Sequence, residues 1–116
     1  MKILIVDDEE MIREVIKEYS LASNYQTDEA ENGKVALEKI NENTYDLLIL
    51  DIMMPEMDGF TVLKNIPKEK KIPTIVLSAR GEEYDKLHGF DLGIDDYLTK
   101  PFSPKELIAR IKAVLN

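Results

Sequence analysis

Three aspartates, a serine and a lysine are of types suited to joint chemistry, and each stands at or just beyond the end of a short apolar run. Asp7 and Asp8 follow the run 2–6. Asp51 closes Leu47-Leu48-Ile49-Leu50, ahead of a breaker-rich loop from Ile52 through Pro55 to Asp58-Gly59. Ser78 follows the run 74–77, and Lys100-Pro101 follows 96–99. Carboxylates drawn together repel one another and stay ionised only with a cation among them. Hard oxygen donors that leave room for water and phosphate oxygens suit Mg2+ rather than zinc. A carboxylate beside Mg2+ and an ammonium is equipped to attack phosphorus. The metal and Lys100 would neutralise the charge on the equatorial oxygens, and the product would be an acyl phosphate on aspartate. A hydroxyl at Ser78 would bond a phosphoryl oxygen and so report its arrival.

For these residues to meet, the runs before them must be strands of one sheet. The segments 2–6, 47–50 and 74–77 are aliphatic and do not alternate with polar residues, as central parallel strands buried on both faces read. A weaker strand at 25–30 carries charge, as an edge would, and a short one spans 96–99. Helical patterns lie between them. In 9–22, Met11, Ile12, Val15, Ile16 and Tyr19 form one stripe; in 34–43, Val35, Ala36, Leu37 and Ile40 form another, after the Asn32-Gly33 turn. A helix at 59–66 is ended early by Pro67, and one at 82–92 contains Gly89. The last opens with Ser103 as N-cap, Pro104 at N1 and Glu106 at N3, and its stripe is Leu107, Ile108, Ile111 and Leu115. This alternation predicts a flavodoxin-like, doubly wound, five-stranded parallel sheet of order 2-1-3-4-5 with five helices. Ligands of such sheets bind beyond the carboxyl ends of the strands, at the switch point of the winding. There Asp7, Asp8 and Asp51 would converge, with Ser78 next along and Lys100 beyond it.

Taken singly, each of these residues has a plainer role open to it. Asp7-Asp8-Glu9-Glu10 would serve to cap a helix and complement its dipole. Asp51 would serve as a turn residue bonding its own backbone, Ser78 as a loop hydroxyl and Lys100 as a surface lysine. Independent capping has no reason to choose the same rim every time, and the coincidence favours a site.

Composition narrows the function classes. At 116 residues, 44% hydrophobic and 33% charged, the chain has the size and balance of one globular domain over 1–116. It has no cysteine, so thiolate metal sites, disulfides and thiol catalysis are excluded. No signal peptide or membrane-length apolar run occurs, and a cytoplasmic location is expected. The net charge of −8 argues against nucleic-acid binding by this domain alone.

Jointly, the motifs make a more specific pattern. They are Ile5-Val6-Asp7-Asp8, Leu50-Asp51 through Met54-Pro55 to Asp58-Gly59, Leu77-Ser78-Ala79-Arg80, and Gly93-Ile94-Asp95-Asp96-Tyr97 ahead of Lys100-Pro101-Phe102. Over essentially its whole length the chain resembles the CheY-like receiver domain of two-component response regulators, most closely the OmpR/PhoB type joined to DNA-binding domains. The resemblance implies that Asp51 accepts a phosphoryl group from a sensor histidine kinase. It implies Asp8 as chief Mg2+ ligand, with Asp7 in support and the backbone carbonyl of Met53 completing the protein's share. Lys100 would pair with the phosphoryl group before a cis Pro101, and Ser78 and Tyr97 would form a switch pair. Tyr97 would fill the space vacated as Ser78 is drawn inward. Such a domain is a signalling phosphoacceptor, and catalyses only its own phosphorylation and dephosphorylation.

The same resemblance implies a symmetric homodimer through the fourth helix, fifth strand and fifth helix. Lys86 would face Glu106, Asp91 would face Lys112, and Asp96 would face Arg110, around an apolar centre of Leu87, Phe90 and Ile108. A C-terminal DNA-binding domain would lie outside these residues if the chain is not a stand-alone receiver. Departures are few. Ser78 stands where threonine is commoner, and Met53 and Arg80 flank the acceptor. His88 reads as exposed and structural. Two other classes fit poorly. An aspartate-nucleophile phosphatase of the haloacid dehalogenase type needs an acid where this chain has Met53, which has no proton to give. A flavin or nucleotide binder would want a glycine- or hydroxyl-rich loop where Asp7-Asp8-Glu9-Glu10 stands.

Overall fold

A computed structural model of the chain describes residues 1–79 and 83–116, without the side chains of Glu83, Tyr84, Asp85 and Leu87. Strands β1 (Lys2–Val6), β2 (Gln26–Ala30), β3 (Leu47–Asp51), β4 (Thr74–Ser78) and β5 (Asp96–Thr99) alternate with helices α1 (Glu10–Ala22), α2 (Gly33–Glu42), α3 (Gly59–Asn65), α4 (Glu83–Asp91) and α5 (Pro104–Leu115). A single 3-10 turn at Lys68–Lys70 follows α3, which stops at Asn65 ahead of Pro67. The sheet is wholly parallel and ordered β2-β1-β3-β4-β5, as the alternation predicts.

Successive side chains of a strand point to opposite faces, and the aliphatic runs therefore feed two cores. Ile3, Ile5, Leu47, Ile49, Ile75 and Leu77 pack with Ile16 of α1 and Leu107 and Ile111 of α5. Leu4, Val6, Leu48 and Leu50 pack on the other face with Ala36 and Ile40 of α2 and Val62 of α3. Near α4, Ile52, Phe60, Val76, Ile94 and Tyr97 form a third cluster. Strand β2 is the edge its charges predict. Its Asp28 accepts from the Tyr45 hydroxyl at 2.7 Å and pairs with Lys2 at 3.2 Å.

The α1 stripe differs from its sequence reading. Ile16 and Ser20 are buried, but Met11 is 81% exposed and Val15 and Tyr19 lie on the margin. The spacing 12-16-20 faces the sheet, and Met11 sits a hundred degrees away from Ile12 around the axis. His88 is half-buried rather than exposed, with its ring edge-on to Phe60 at 4.5 Å between centroids. Among the described residues, no helix is long and apolar enough to cross a membrane.

Three helix starts carry side-chain caps, at Ser103 as the sequence predicts and also at Asn32 and Asp58, whereas Glu9 gives α1 none. Asn32 accepts from Val35 N–H at 2.8 Å, Asp58 from Thr61 N–H at 2.8 Å, and Ser103 from Glu106 N–H at 3.4 Å. Asn32→Ala, which orphans one amide, is expected to lower unfolding stability by about 1 kcal/mol in urea titrations.

Candidate functional site

Strand register delivers the polar residues to one rim. Val6 pairs with Leu50, Asp51 with Leu77 and Ser78 with Thr99, so the strands reach the same edge nearly level. The chain leaves that edge through Asp7-Asp8, Asp51-Ile52, Ser78-Ala79 and Lys100-Pro101. The Lys100–Pro101 peptide is cis, as the resemblance implies. Lys100 is held in register by its own N–H, which donates to the Ser78 carbonyl at 2.7 Å.

The rim residues meet. One oxygen from each of Asp7, Asp8 and Asp51 lies within 4.8 Å of the others. Asp7 is fully buried and Asp51 is 2% exposed, whereas Asp8 opens to solvent. The Lys100 ammonium donates to Asp7 Oδ2 at 2.9 Å and stands 3.6 Å from Asp51 Oδ2. It is thus bound first to Asp7, with Asp51 the more distant partner. Asp7 Oδ1 accepts from Glu9 N–H at 2.9 Å, and Asp51 Oδ1 accepts from Met53 N–H at 3.2 Å. The Asp7 carbonyl accepts from the Arg13 guanidinium at 2.7 Å.

Burial, with the negative charge of Asp7 beside it, pushes the Asp51 carboxyl up to about 7, against the pull of Lys100 and the Met53 N–H. Burial works against the Lys100 charge. The Asp7 hydrogen bond and the charges of Asp51, Asp7 and Glu9 outweigh it and hold the ammonium above its ordinary pKa. With all three carboxylates ionised, the one ammonium leaves two negative charges on a rim where Asp7 and Asp51 are buried. The donors are all hard oxygens, and the unbalanced charge matches a divalent cation of the Mg2+ kind.

The loop after Asp51 is shaped by its backbone. Ile52 N–H donates to the Leu77 carbonyl at 3.0 Å, and Met54 and Gly59 N–H both donate to the Ile52 carbonyl at 3.1 and 2.9 Å. Glu56 takes a left-handed φ of 69° to close the turn. Met53 is 51% exposed beside Asp51. Arg80, the other flanking residue, lies outside the described residues. Sequence reasoning gave no role of their own to two residues here. Gly59, named only as part of the Asp58-Gly59 motif, packs on the backbone of Asp51 and Ile52. Arg13 was legible only as a cation near the start of α1, among acidic neighbours.

Ser78 is fully buried at the end of β4, and Tyr97 is 7% exposed within the cluster of Ile52, Phe60, Val76 and Ile94. The Lys86 ammonium lies 5.8 Å from the Tyr97 ring centroid. On the expected dimer face, Lys86, Phe90, Asp91, Glu106 and Lys112 are exposed. The Leu87 side chain lies outside the described residues. Ile108 is 8% exposed and packs into the α1–α5 core. Asp96 and Arg110 pair within the chain at 2.9 Å, and Arg110 also holds Glu106 at 3.1 Å. The end of β5 lies beside α5, and the i,i+4 spacing of Glu106 and Arg110 brings them together.

Comparison with known proteins agrees with this geometry. The family model for the response regulator receiver domain matches residues 3–112. The transcriptional regulatory protein ResD of Bacillus subtilis is 50% identical over 115 residues, covering 99% of this chain and 48% of ResD. The transcriptional regulatory protein SrrA of Staphylococcus aureus is 46% identical with the same coverage. The chain thus spans about half the length of these curated relatives. Among solved structures, response regulator TrrA of Thermotoga maritima, in complex with Mg2+ and BeF, superposes with a TM-score of 0.87 at 41% identity, covering 98% of each chain. A rim built of these residues, on a CheY-like sheet and with a family match over nearly every residue, has one consistent reading: this chain belongs to the receiver domains of two-component response regulators.

Proposed function

We propose that this receiver takes a phosphoryl group from the phosphohistidine of a sensor histidine kinase onto Asp51. The observation that carries the proposal is the nearly buried Asp51 carboxylate, grouped with Asp7 and Asp8 and facing Lys100 at 3.6 Å. Asp7, Asp8, Asp51 and the backbone carbonyl of Met53 would hold Mg2+, which when bound supplies positive charge to the phosphoryl oxygens. An Asp51 oxygen forms the new bond to phosphorus while the phosphorus–nitrogen bond of the phosphohistidine breaks and its electron pair stays on the imidazole. Lys100 moves its attention from Asp7 to the incoming oxygens, and Asp7 remains anchored by the Glu9 N–H. Water later splits the acyl phosphate. Met53 offers no proton to a leaving group, which supports a phosphoacceptor rather than an enzyme turning over external esters.

Incubation with acetyl phosphate and Mg2+, followed by intact-mass spectrometry, tests this. One phosphoryl group is expected on the wild type, and none with EDTA or on Asp51→Asn. An adduct on both proteins would place the chemistry elsewhere.

Ser78 and Tyr97 would carry the signal from the rim to the face of α4, β5 and α5, where two copies of the chain pair in the phosphorylated state. Because Asp96 and Arg110 already bond each other, dimerisation proceeds by exchange of partners, with Lys86–Glu106 and Asp91–Lys112 as the contacts made anew. Glu106→Lys is expected to weaken phosphorylation-dependent dimerisation about tenfold in sedimentation equilibrium, since like charges across an interface repel. An unchanged profile would remove this face from the proposal. The names of ResD and SrrA, transcriptional regulatory proteins of which this chain spans about half, support a role in transcription regulation; a cytoplasmic location and a DNA-binding domain beyond these residues would go with that role.

A further inference from the structure

Arg13 is placed against the usual rule for helices. It lies near the start of α1, where the helix dipole disfavours a cation, and Cα–Cβ bonds tilt toward that same end. Its guanidinium reaches back past the first turn. One terminal nitrogen donates to the Asp7 carbonyl at 2.7 Å, and Nε donates to Glu29 Oε1 of β2 at 3.2 Å. The side chain is only 13% exposed, so these bonds are shielded from water.

The carbonyl that Arg13 holds belongs to the peptide joining Asp7 to Asp8. Every other polar group of Asp7 is also fixed: its N–H donates to the Ala30 carbonyl at 3.2 Å, and its carboxylate is taken by Glu9 N–H and Lys100. Asp8, by contrast, is exposed, and among the described residues no side-chain hydrogen bond or ion pair fixes it in the acidic cluster. Glu9, at the N-cap of α1, makes no side-chain cap that would do this instead. Glu29 is itself braced, by Lys17 at 3.9 Å and by the Lys39 ammonium on its carbonyl.

We propose that Arg13, anchored on Glu29, is a positioning residue for cation binding, setting the Asp7–Asp8 peptide so that the Asp8 carboxylate is presented to the metal. This rests on the reading of the three aspartates as a Mg2+ site. The planar fork of arginine is needed, because the two acceptors lie on different elements and must be held at once. Nearby charge alone has the opposite consequence: removing a cation beside an acidic cluster strengthens its hold on Mg2+.

Isothermal titration with Mg2+ of the wild type, Arg13→Met and Arg13→Lys, with thermal melts in EDTA alongside, separates these roles. The expected result is affinity about tenfold weaker for Arg13→Met, with Arg13→Lys in between. Equal or tighter binding by Arg13→Met overturns the inference, whatever the melts show, since a purely structural role lowers the melting point and leaves the affinity alone. Should Arg13→Met not fold, Arg13→Lys decides: it keeps the charge, so unchanged affinity overturns the positioning role and weaker affinity supports it. A wild type that takes up no Mg2+ overturns the metal site itself, and with it this inference.

Discussion

Asp51→Asn is expected to make the metal-free protein more stable than the wild type by on the order of 2–4 kcal/mol at about pH 8. The folded protein holds the Asp51 carboxyl at about 7, against 3.8 for the unperturbed group. Between those values the folded state keeps a proton that the unfolded state has lost. Stability therefore falls as pH rises from about 4 to about 7, and the deficit is complete above the folded pKa. The amide of Asn never ionises, keeps an acceptor for the Met53 N–H, and escapes that cost. Denaturant titrations in EDTA should find the two proteins nearly equal at about pH 4 and furthest apart at about pH 8. On the proposed Mg2+ site, the cation should then narrow the gap, because a ligand taken up by the folded wild type alone stabilises it. A wild type as stable as the variant at high pH without metal would mean that Lys100 already compensates the cluster.

Gly59→Ala is expected to cost about 3 kcal/mol and to slow phosphorylation as well. A Cβ there would stand 2.6 Å from the Asp51 carbonyl oxygen, 2.9 Å from Ile52 Cα and 3.2 Å from the Asp51 carbonyl carbon. All three are backbone atoms of the acceptor loop, so relief requires moving Asp51 itself or lifting the start of α3. The intrinsic helix preference for alanine over glycine, at most about 1 kcal/mol, works in the other direction and is too small to cancel the clash. Gly89→Ala is the control. Its Cβ would meet Ile94 Cδ1 at 2.7 Å, the far end of a flexible side chain, so rotation relieves it and stability should stay within about 1 kcal/mol of wild type. Equal losses for the two variants in urea titrations would show that Gly59 is packed no more critically than Gly89.

Much of this molecule was legible before any coordinates. Unbroken aliphatic runs of strand length, separated by amphipathic segments and punctuated by Asn32-Gly33, Pro67 and Ser103-Pro104, leave little choice but a parallel sheet covered on both faces. Once that sheet is ordered 2-1-3-4-5, Asp7, Asp8, Asp51, Ser78 and Lys100 must share a rim, because parallel strands all end at the same side. Local signals carry this because each depends on near neighbours in the chain: period, cap and breaker.

What the sequence did not determine lies between elements. Periodicity assigned Met11 to the buried stripe of α1, but the angle at which the helix meets the sheet left it 81% exposed and buried Ser20 instead. The resemblance placed Ile108, Asp96 and Arg110 on a dimer face; in the fold Ile108 packs into the core, as its place in the α5 stripe predicts, and Asp96 and Arg110 meet within the chain. Arg13 bonding the Asp7 carbonyl, and Gly59 pressed on the Asp51 backbone, are contacts whose partners lie on other elements or on loops. No local pattern encodes such a contact, since its distance and direction follow from how whole elements pack. By itself the sequence determined which residues reach the rim, and only the tertiary structure decided how each is held there: Asp7 buried, Asp51 shielded, Asp8 open, and Lys100 bound to Asp7 before Asp51.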